Sequence, residues 1–551
     1  MAAPITSAEI GGAALLKPGE RDYERAVATE NLLYRFSRPL CVVQPRNVKQ
    51  VQAIINEARV KKLRVTIKNG GHSYAGSSTA DGGILLDLLR MNKVKLDMAP
   101  GSRTPEFVTL EGGAKWGHAY KELVNGRHDG YVINGGRCPT VGVSGFILGG
   151  GLSPFTRSFG MGCDTLVEAT IVTANGKVIT VKESDKNNSN ERKLFWALCG
   201  AGGGNFGVVV SLKMKVQRLA GKQVVAGRFT WLPKPDADAM EKFMDTMRSF
   251  YTAKWPNSTT VDSTWICDLD QTGSEVGIRF LIYHDGEKTD LDKTIDKYIK
   301  DKELAKLMKR RTMAEKSSRF LHETLVEQWS EEIAMALPSA DRFYRIYTSF
   351  VFGNNRSTIN DATKRIRKSM GDFRKQFVGE KGLLQWKDKW LGEDMKRFLK
   401  EMEKDLRPLS IDGRAAFINF PDRELRRDAH EAAYYGDNRE ELRRVKQTWD
   451  RDNFFSWRQG VRLPTKKRGA AGTGRARNMP MAAMPPGMEV MDAMAPAPGT
   501  EGVYVETDES EDEELATVDA AEAEEREWDR FGVPLKNDFE GGIHSLADLG
   551  F

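Results

Sequence analysis

Asn69-Gly70-Gly71-His72-Ser73-Tyr74-Ala75-Gly76-Ser77-Ser78 follows a strand-like stretch, Arg64 to Lys68, and precedes another, Gly83 to Asp87. Glycines in such a loop let backbone N–H groups crowd toward an anionic group such as a pyrophosphate. Taken alone, the loop reads as readily as a glycine-rich turn whose His72 caps a neighbour. A second cluster changes that balance. It runs Gly135-Gly136-Arg137-Cys138-Pro139-Thr140-Val141-Gly142-Val143-Ser144-Gly145 and continues to Gly149-Gly150-Gly151, with a cysteine at its mouth. A third follows at Gly200-Ala201-Gly202-Gly203-Gly204-Asn205-Phe206-Gly207. Each glycine costs conformational entropy, so three such loops in one region call for a large flat ligand that backbone must approach closely.

Working outward, strands and helices alternate from Cys41 to about residue 218: strand-like Cys41 to Val43, a helix over Val48 to Lys61, strand-like Phe107 to Glu111, a helix over Trp116 to Val124, then strand-like Val167 to Thr173 and Lys177 to Val181. From about 222 to 410 the texture changes. Longer amphipathic strands (Val224 to Trp231, Ser274 to Tyr283, Arg342 to Phe352) lie between charged helices at 287–310, 359–377 and 393–405. The expected class is α+β, with an antiparallel sheet backed by helices in the second part. The expected organisation is an N-terminal extension (1–36), a glycine-threaded region (37–220), an antiparallel-sheet region (221–410), a further segment (411–464) and a disordered tail (465–551).

The chain of 551 residues is 40% hydrophobic and 29% charged, enough for two sizeable cores. Its net charge of +6 hides an asymmetry: residues 465–551 hold 8 Lys+Arg and 19 Asp+Glu, so the tail is −11 and the body +17. In the body the basic residues mostly alternate with acidic ones at helical spacing, which reads as solvated helix faces rather than a nucleic-acid surface. The tail is first Gly/Ala/Met/Pro-rich and then acidic, a composition too poor in apolar area to offset ordering entropy, and it is a place for a protein partner to bind. No stretch reaches the roughly 18 to 20 apolar residues of a membrane-spanning helix. Met1-Ala-Ala-Pro-Ile-Thr-Ser lacks the basic and then apolar run of a secretory signal, which points to an intracellular, cytoplasmic protein. The five cysteines (Cys41, Cys138, Cys163, Cys199, Cys267) are scattered, so neither a disulfide framework nor a metal site is expected.

The three loops, with Tyr434-Tyr435-Gly436-Asp437-Asn438 and Trp449-Asp450-Arg451-Asp452-Asn453-Phe454-Phe455 near the end of the body, resemble the flavoproteins of the vanillyl-alcohol oxidase superfamily, in its berberine-bridge-enzyme-like branch. The resemblance implies a two-part FAD-binding domain with a central substrate domain roofing the flavin. It implies FAD held by two covalent bonds, one from His72 to the 8α-methyl group and one from Cys138 to C6. Cofactor contacts are expected from Gly70, Gly71, Ser73, Gly76, Ser77, Val141, Gly142, Ser144, Gly145, Gly150, Gly151, Gly204, Asn205 and Asn453. Tyr74 falls where carbohydrate-oxidising relatives face the substrate. Val141 falls where a small residue leaves oxygen a path to the flavin.

One departure bears on chemistry. The family's alcohol-oxidising members read Tyr-x-Asn-Tyr-Pro-Asp where this chain reads Phe417-Ile418-Asn419-Phe420-Pro421-Asp422. The second tyrosine is their base, and a phenyl ring cannot accept a proton. Period-two alternation in Leu383 to Asp388 would aim Gln385 and Lys387 at one face, making Lys387 a substitute base. The expected function is an oxidase that takes a hydride from a small organic substrate, a secondary metabolite, and passes the electrons to O2. The alternatives are a carbohydrate or alcohol oxidase or dehydrogenase, and a catalytically degenerate flavin-binding protein.

Overall fold

A computed structural model describes residues 4–465 apart from 30, 235, 267–275, 323–343, 378–384, 387–388 and 427–428. The acidic tail and Cys267 therefore lie outside the described residues. Three sheets organise the rest. The first has the strand order Ala14–Leu16, Cys41–Gln44, Ile84–Asp87, Val65–Lys68. Cys41–Gln44 and Val65–Lys68 both run parallel to Ile84–Asp87. Parallel strands are covered on both faces and so read as unbroken apolar runs, and all four residues of Cys41–Gln44 and of Ile84–Asp87 are buried. The helix Val48–Val60 covers this sheet with Val51, Ile54, Ile55 and Ala58, and the Asn47 side chain caps it by accepting from Gln50 N at 3.0 Å. The first glycine loop leaves the carboxyl end of Val65–Lys68, where ligands gather in open parallel sheets.

The second sheet is antiparallel, in the order Val94–Met98, Pro105–Glu111, Gly207–Arg218, Leu166–Thr173, Val178–Lys182, with Tyr131–Ile133 beside the far end of Gly207–Arg218. Its core takes Trp116, Ala119, Tyr120 and Leu123 from the helix Trp116–Asn125 and Ile147 and Leu148 from the helix Val143–Leu148. Tyr435, Leu442, Val445 and Val461 from the end of the body join the same core.

The third sheet, Thr259–Ile266, Gly277–Asp285, Gln223–Trp231, Thr312–Lys316, is wholly antiparallel. Phe280 and Ile282 pack against Met240, Phe243, Met244, Met247 and Phe250 of the helix Ala237–Thr252 and against Leu291, Ile295, Leu304 and Met308. The α+β class holds. Two element expectations need correction. The helix expected over 287–310 is two helices, Lys288–Tyr298 and Lys302–Arg311, because the Asp301 carboxylate accepts from Leu304 N at 2.9 Å and starts a new helix. Of the long strand expected over Arg342 to Phe352, the first two residues lie outside the described residues and the rest reduces to Tyr344–Arg345 and one isolated bridge at Phe352. Its polar groups go elsewhere: Ser349 Oγ accepts from Phe417 N at 2.9 Å, and Arg407 Nη1 donates to Ser349 O at 2.6 Å. Among the described residues no helix is long and apolar enough to cross a membrane.

Candidate active site

The first and second glycine loops touch backbone to backbone. A Cβ on Gly70 would stand 2.5 Å from Gly142 N, and one on Gly142 would stand 2.3 Å from Asn69 Cγ, so neither position admits a side chain. Asn69 Nδ2 locks the contact by donating to Gly112 O at 2.6 Å and to Ser144 Oγ at 2.9 Å. This approach brings two reactive side chains to one hydroxyl: Thr140 Oγ1 lies 3.0 Å from His72 Nε2 and 3.2 Å from Cys138 Sγ. The third loop is held by Gly202 N and Gly200 N, which donate to Leu148 O at 2.7 and 3.0 Å. Behind it the buried ammonium of Lys446 donates to Asn205 O at 2.6 Å and to Asp450 Oδ2 at 2.6 Å.

Between these loops and the third sheet lies a cavity of about 850 Å³. Its floor carries Asn69, Gly70, Gly71, His72, Ser73, Tyr74, Ser77, Val141, Gly142, Ser144, Gly145, Gly203 and Gly204. Its roof is the strand segment Thr260 to Trp265, and its side wall is Ile366, Met370, Phe373, Phe398 and Met402. The Phe417 to Pro421 stretch closes one end. Tyr74 stacks on Tyr347 with ring centroids 3.8 Å apart and meets Phe420 at 5.9 Å. Asn419 Nδ2 donates to Phe146 O at 2.9 Å and ties that stretch to the second loop. Behind Phe420, burial pushes the Asp422 carboxyl above its usual range, with Glu403 adding to the effect.

The residues fit a large, flat, polar cofactor. Among the described residues, the buried Asn69 Oδ1, Ser78 Oγ, Arg137 Nε and Trp457 Nε1 have no protein hydrogen-bond partner, and all four residues line this cavity. A buried polar atom left so costs free energy unless a ligand or water satisfies it. Gly145 also lines the cavity, and a Cβ built on it would meet no protein atom within 4 Å.

Two family matches bracket this geometry: the FAD binding domain over residues 39–182, and the berberine and berberine-like domain over residues 416–462. The chain carries both domains of a berberine-bridge-enzyme-like FAD-linked oxidoreductase. The FAD-linked oxidoreductase YgaK of Bacillus subtilis is 26% identical over 465 residues, 80% of this chain and 94% of that one. The FAD-linked oxidoreductase easE of Trichophyton verrucosum is 38% identical over 199 residues, 35% of this chain and 32% of its own length. Against that fungal relative the match thus spans about a third of either protein. Among solved structures, berberine bridge enzyme from Eschscholzia californica has the same fold, with a TM-score of 0.67 at 20% identity over 82% of this chain and 97% of that one. A chitooligosaccharide oxidase shares it too, with a TM-score of 0.65 at 19% identity over 83% of this chain and 98% of that one.

Within this oxidoreductase fold, other residues marked in the sequence stand off the cavity surface. Cys138 is buried and reaches His72 through Thr140. Gly76 packs on Tyr34, Gly150 on Met161 and Gly151 on Phe146. Asn205 is buried and accepts from Val461 N at 2.9 Å, tying the third loop to the end of the body. Asn453 takes a left-handed φ of 53° just after the helix Arg439–Trp449. Gln385 sits in the short strand Gln385–Trp386 beside Tyr344–Arg345, and Lys387 lies outside the described residues. Sequence reading missed an ion pair of the cavity wall. Arg137, next to Cys138, pairs with Asp262 of the roof and donates to Tyr283 Oη at 3.4 Å. The charge of Asp262, in the middle of the strand Thr259–Ile266, was the one available sign.

Proposed function

We propose that this protein is an oxidase that holds FAD through covalent bonds from His72 and Cys138 and takes a hydride from an apolar, aromatic-type secondary metabolite, with O2 as the electron acceptor. The observation that carries the reading is the meeting of the His72 imidazole and the Cys138 thiol on the Thr140 hydroxyl at the edge of the cavity. Bound FAD supplies the two-electron chemistry of the reaction. The chain's residues supply position and environment. The three glycine loops offer bare backbone to the cofactor, and Asn69, Ser78 and Trp457 offer it polar atoms the protein does not use.

The substrate class follows from the side wall. Ile366, Met370 and Phe373 recur at helical spacing along Arg356–Phe377, and Phe398 and Met402 do so along Gly392–Leu406. Such a wall buries rings and alkyl groups and offers hydroxyl-rich sugars little to bond. Phe420 points the same way, since an unactivated alcohol needs a base that this position does not supply. The substrate then carries its own activation, as a phenol or an amine does, or Lys387 or Tyr74 takes its proton. Val141 lines the cavity with a small side chain, in keeping with access for oxygen.

The test of the linkage is acid precipitation of the purified protein. The pellet should stay yellow in the wild type and in His72→Ala and Cys138→Ala singly, and should lose its colour in the double variant. Free FAD in the wild-type supernatant would overturn the assignment.

A further inference from the structure

Two cysteines outside the flavin site face one another. Cys163 opens the segment leading into the strand Leu166–Thr173, and its backbone N–H donates to Gly150 O at 2.9 Å, at the end of the second glycine loop. Cys199 ends the helix Asn190–Leu198, immediately before the third glycine loop. Both are free thiols, and each makes its contact on the other's backbone: Cys163 Sγ lies 3.8 Å from Cys199 O, and Cys199 Sγ lies 3.9 Å from Cys163 O. The pairing joins residues 36 apart in sequence, so it is a product of the fold and not of a local turn.

We propose that Cys163 and Cys199 are an oxidisable dithiol, a modification site whose disulfide form staples the second glycine loop to the third. The oxidant is hydrogen peroxide. The Cys163 thiol loses its proton and its sulfur attacks one peroxide oxygen; the S–O bond forms as the O–O bond breaks, giving a sulfenic acid and, with a proton, one water. The Cys199 sulfur then attacks the Cys163 sulfur; the S–S bond forms, the S–O bond breaks, and the hydroxyl leaves with the Cys199 proton as a second water. The two sulfurs together lose two electrons and the peroxide gains two.

The surroundings distinguish the two thiols. The Cys199 thiol beside it holds the Cys163 thiol below the usual range, while the same contact and burial push Cys199 up. A thiol so lowered is the better attacking group, and attack by either sulfur closes the same disulfide. Cys163 is buried at 7% exposure and Cys199 is partly exposed. Cys41, by contrast, is fully buried, and burial pushes its thiol up to about 11, where it stays unreactive. The site does not depend on what the flavin oxidises or on how the flavin is attached.

The test uses the full-length yellow protein, treated with dithiothreitol or with a small excess of hydrogen peroxide, and mapped by mass spectrometry of non-reduced peptides. Peroxide should produce a peptide pair joining Cys163 to Cys199, lighter by about 2 Da than the separate thiols, and dithiothreitol should restore them. The oxidised protein should melt at a higher temperature than the reduced protein. Cys163→Ser and Cys199→Ser, each checked for retained yellow colour, should abolish both the crosslink and the redox dependence of the melting temperature. Peroxide-treated wild type with both thiols unmodified, with Cys163 or Cys199 linked to another cysteine, or with sulfinic acid in place of the crosslink would overturn the proposal.

Discussion

Phe420 stands 5.4 Å from Phe417 and 5.9 Å from Tyr74, ring centre to ring centre, so the place of the family's base belongs to an aromatic cluster. General-base assistance is worth on the order of a hundredfold to ten-thousandfold. Anaerobic flavin reduction by benzylic alcohols should therefore be slow in the wild type and rise in Phe420→Tyr, while turnover of the true substrate does not require the added phenol. Fast reduction by an unactivated sugar with Phe420 in place, and still fast in Lys387→Met, would show that another group removes the proton. Val141 carries a separate expectation. Val141→Leu adds a methylene to the cavity wall, and should slow reoxidation of the reduced flavin by oxygen while leaving reduction by substrate nearly unchanged; stopped-flow traces that match wild type in air-saturated buffer would remove Val141 from the oxygen path. Residues of this kind were legible in the sequence because each belongs to a short contiguous motif. Asp262 and Tyr347 were not, because their partners Arg137 and Tyr74 lie far away along the chain and meet them only through the fold.

At the scale of elements, the helix Arg439–Trp449 clamps the third glycine loop. Lys446 is fully buried, its ammonium bound to Asp450, Asn205 O and Phe455 O, and Asp450 accepts from Phe454 N at 2.8 Å and Phe455 N at 2.9 Å. Removing one member of a buried pair leaves the other charge uncompensated, at a cost of about 3–5 kcal/mol. Lys446→Met should lower stability by that order in chemical denaturation, and Asp450→Asn added to it should recover part of the loss. The preceding helix, His430–Tyr435, gives a pH dependence. Burial pushes the Glu431 carboxyl up, but the ion pair with Arg443 and the Arg462 N–H outweigh it and hold the group below its ordinary 4.5. A carboxyl lowered on folding contributes stability that is present above 4.5 and lost as pH falls through the range below it. The gap in melting temperature between wild type and Glu431→Gln should be widest near neutral pH and should narrow below pH 4.5; a gap independent of pH would assign the effect to packing. Sequence periodicity marked the helix Val48–Val60 within a residue and six strands of the first two sheets nearly as well, since each carries its own apolar pattern, but it did not single out Ala14–Leu16, Val94–Met98, Tyr131–Ile133 or Gly207–Arg218. It failed where tertiary contacts decide: the break at Asp301 depends on a cap, and in the stretch up to Phe352 Ser349 O accepts from the Arg407 side chain while Val351 bonds the backbone of Ala415 and Ile411.

For the whole molecule, charge and cavity lead to one expectation about the tail. Among the described residues, those that line the cavity fall between Val65 and Trp457, and the cores of the three sheets are closed by residues up to Val461. The two residues proposed to hold FAD, His72 and Cys138, both lie in the body. The tail's charge of −11 against a body of +17 leads to an electrostatic expectation: acidic charge on the same chain lowers the attraction of a basic body for polyanions. Truncation after Pro464 should yield soluble protein with the yellow colour still in the acid pellet and with flavin reduction rates unchanged. The truncated protein should also elute from a cation exchanger at distinctly higher salt, because its net charge rises from +6 to +17, and it should bind heparin more tightly in a salt-dependent way. Colourless or aggregated truncated protein would show that the final segment, with Trp528, Phe531, Leu535, Phe539 and Phe551, contributes apolar surface to the body. Elution at the same salt as the full chain would show that the tail's charge is already engaged elsewhere than on the face the resin reads.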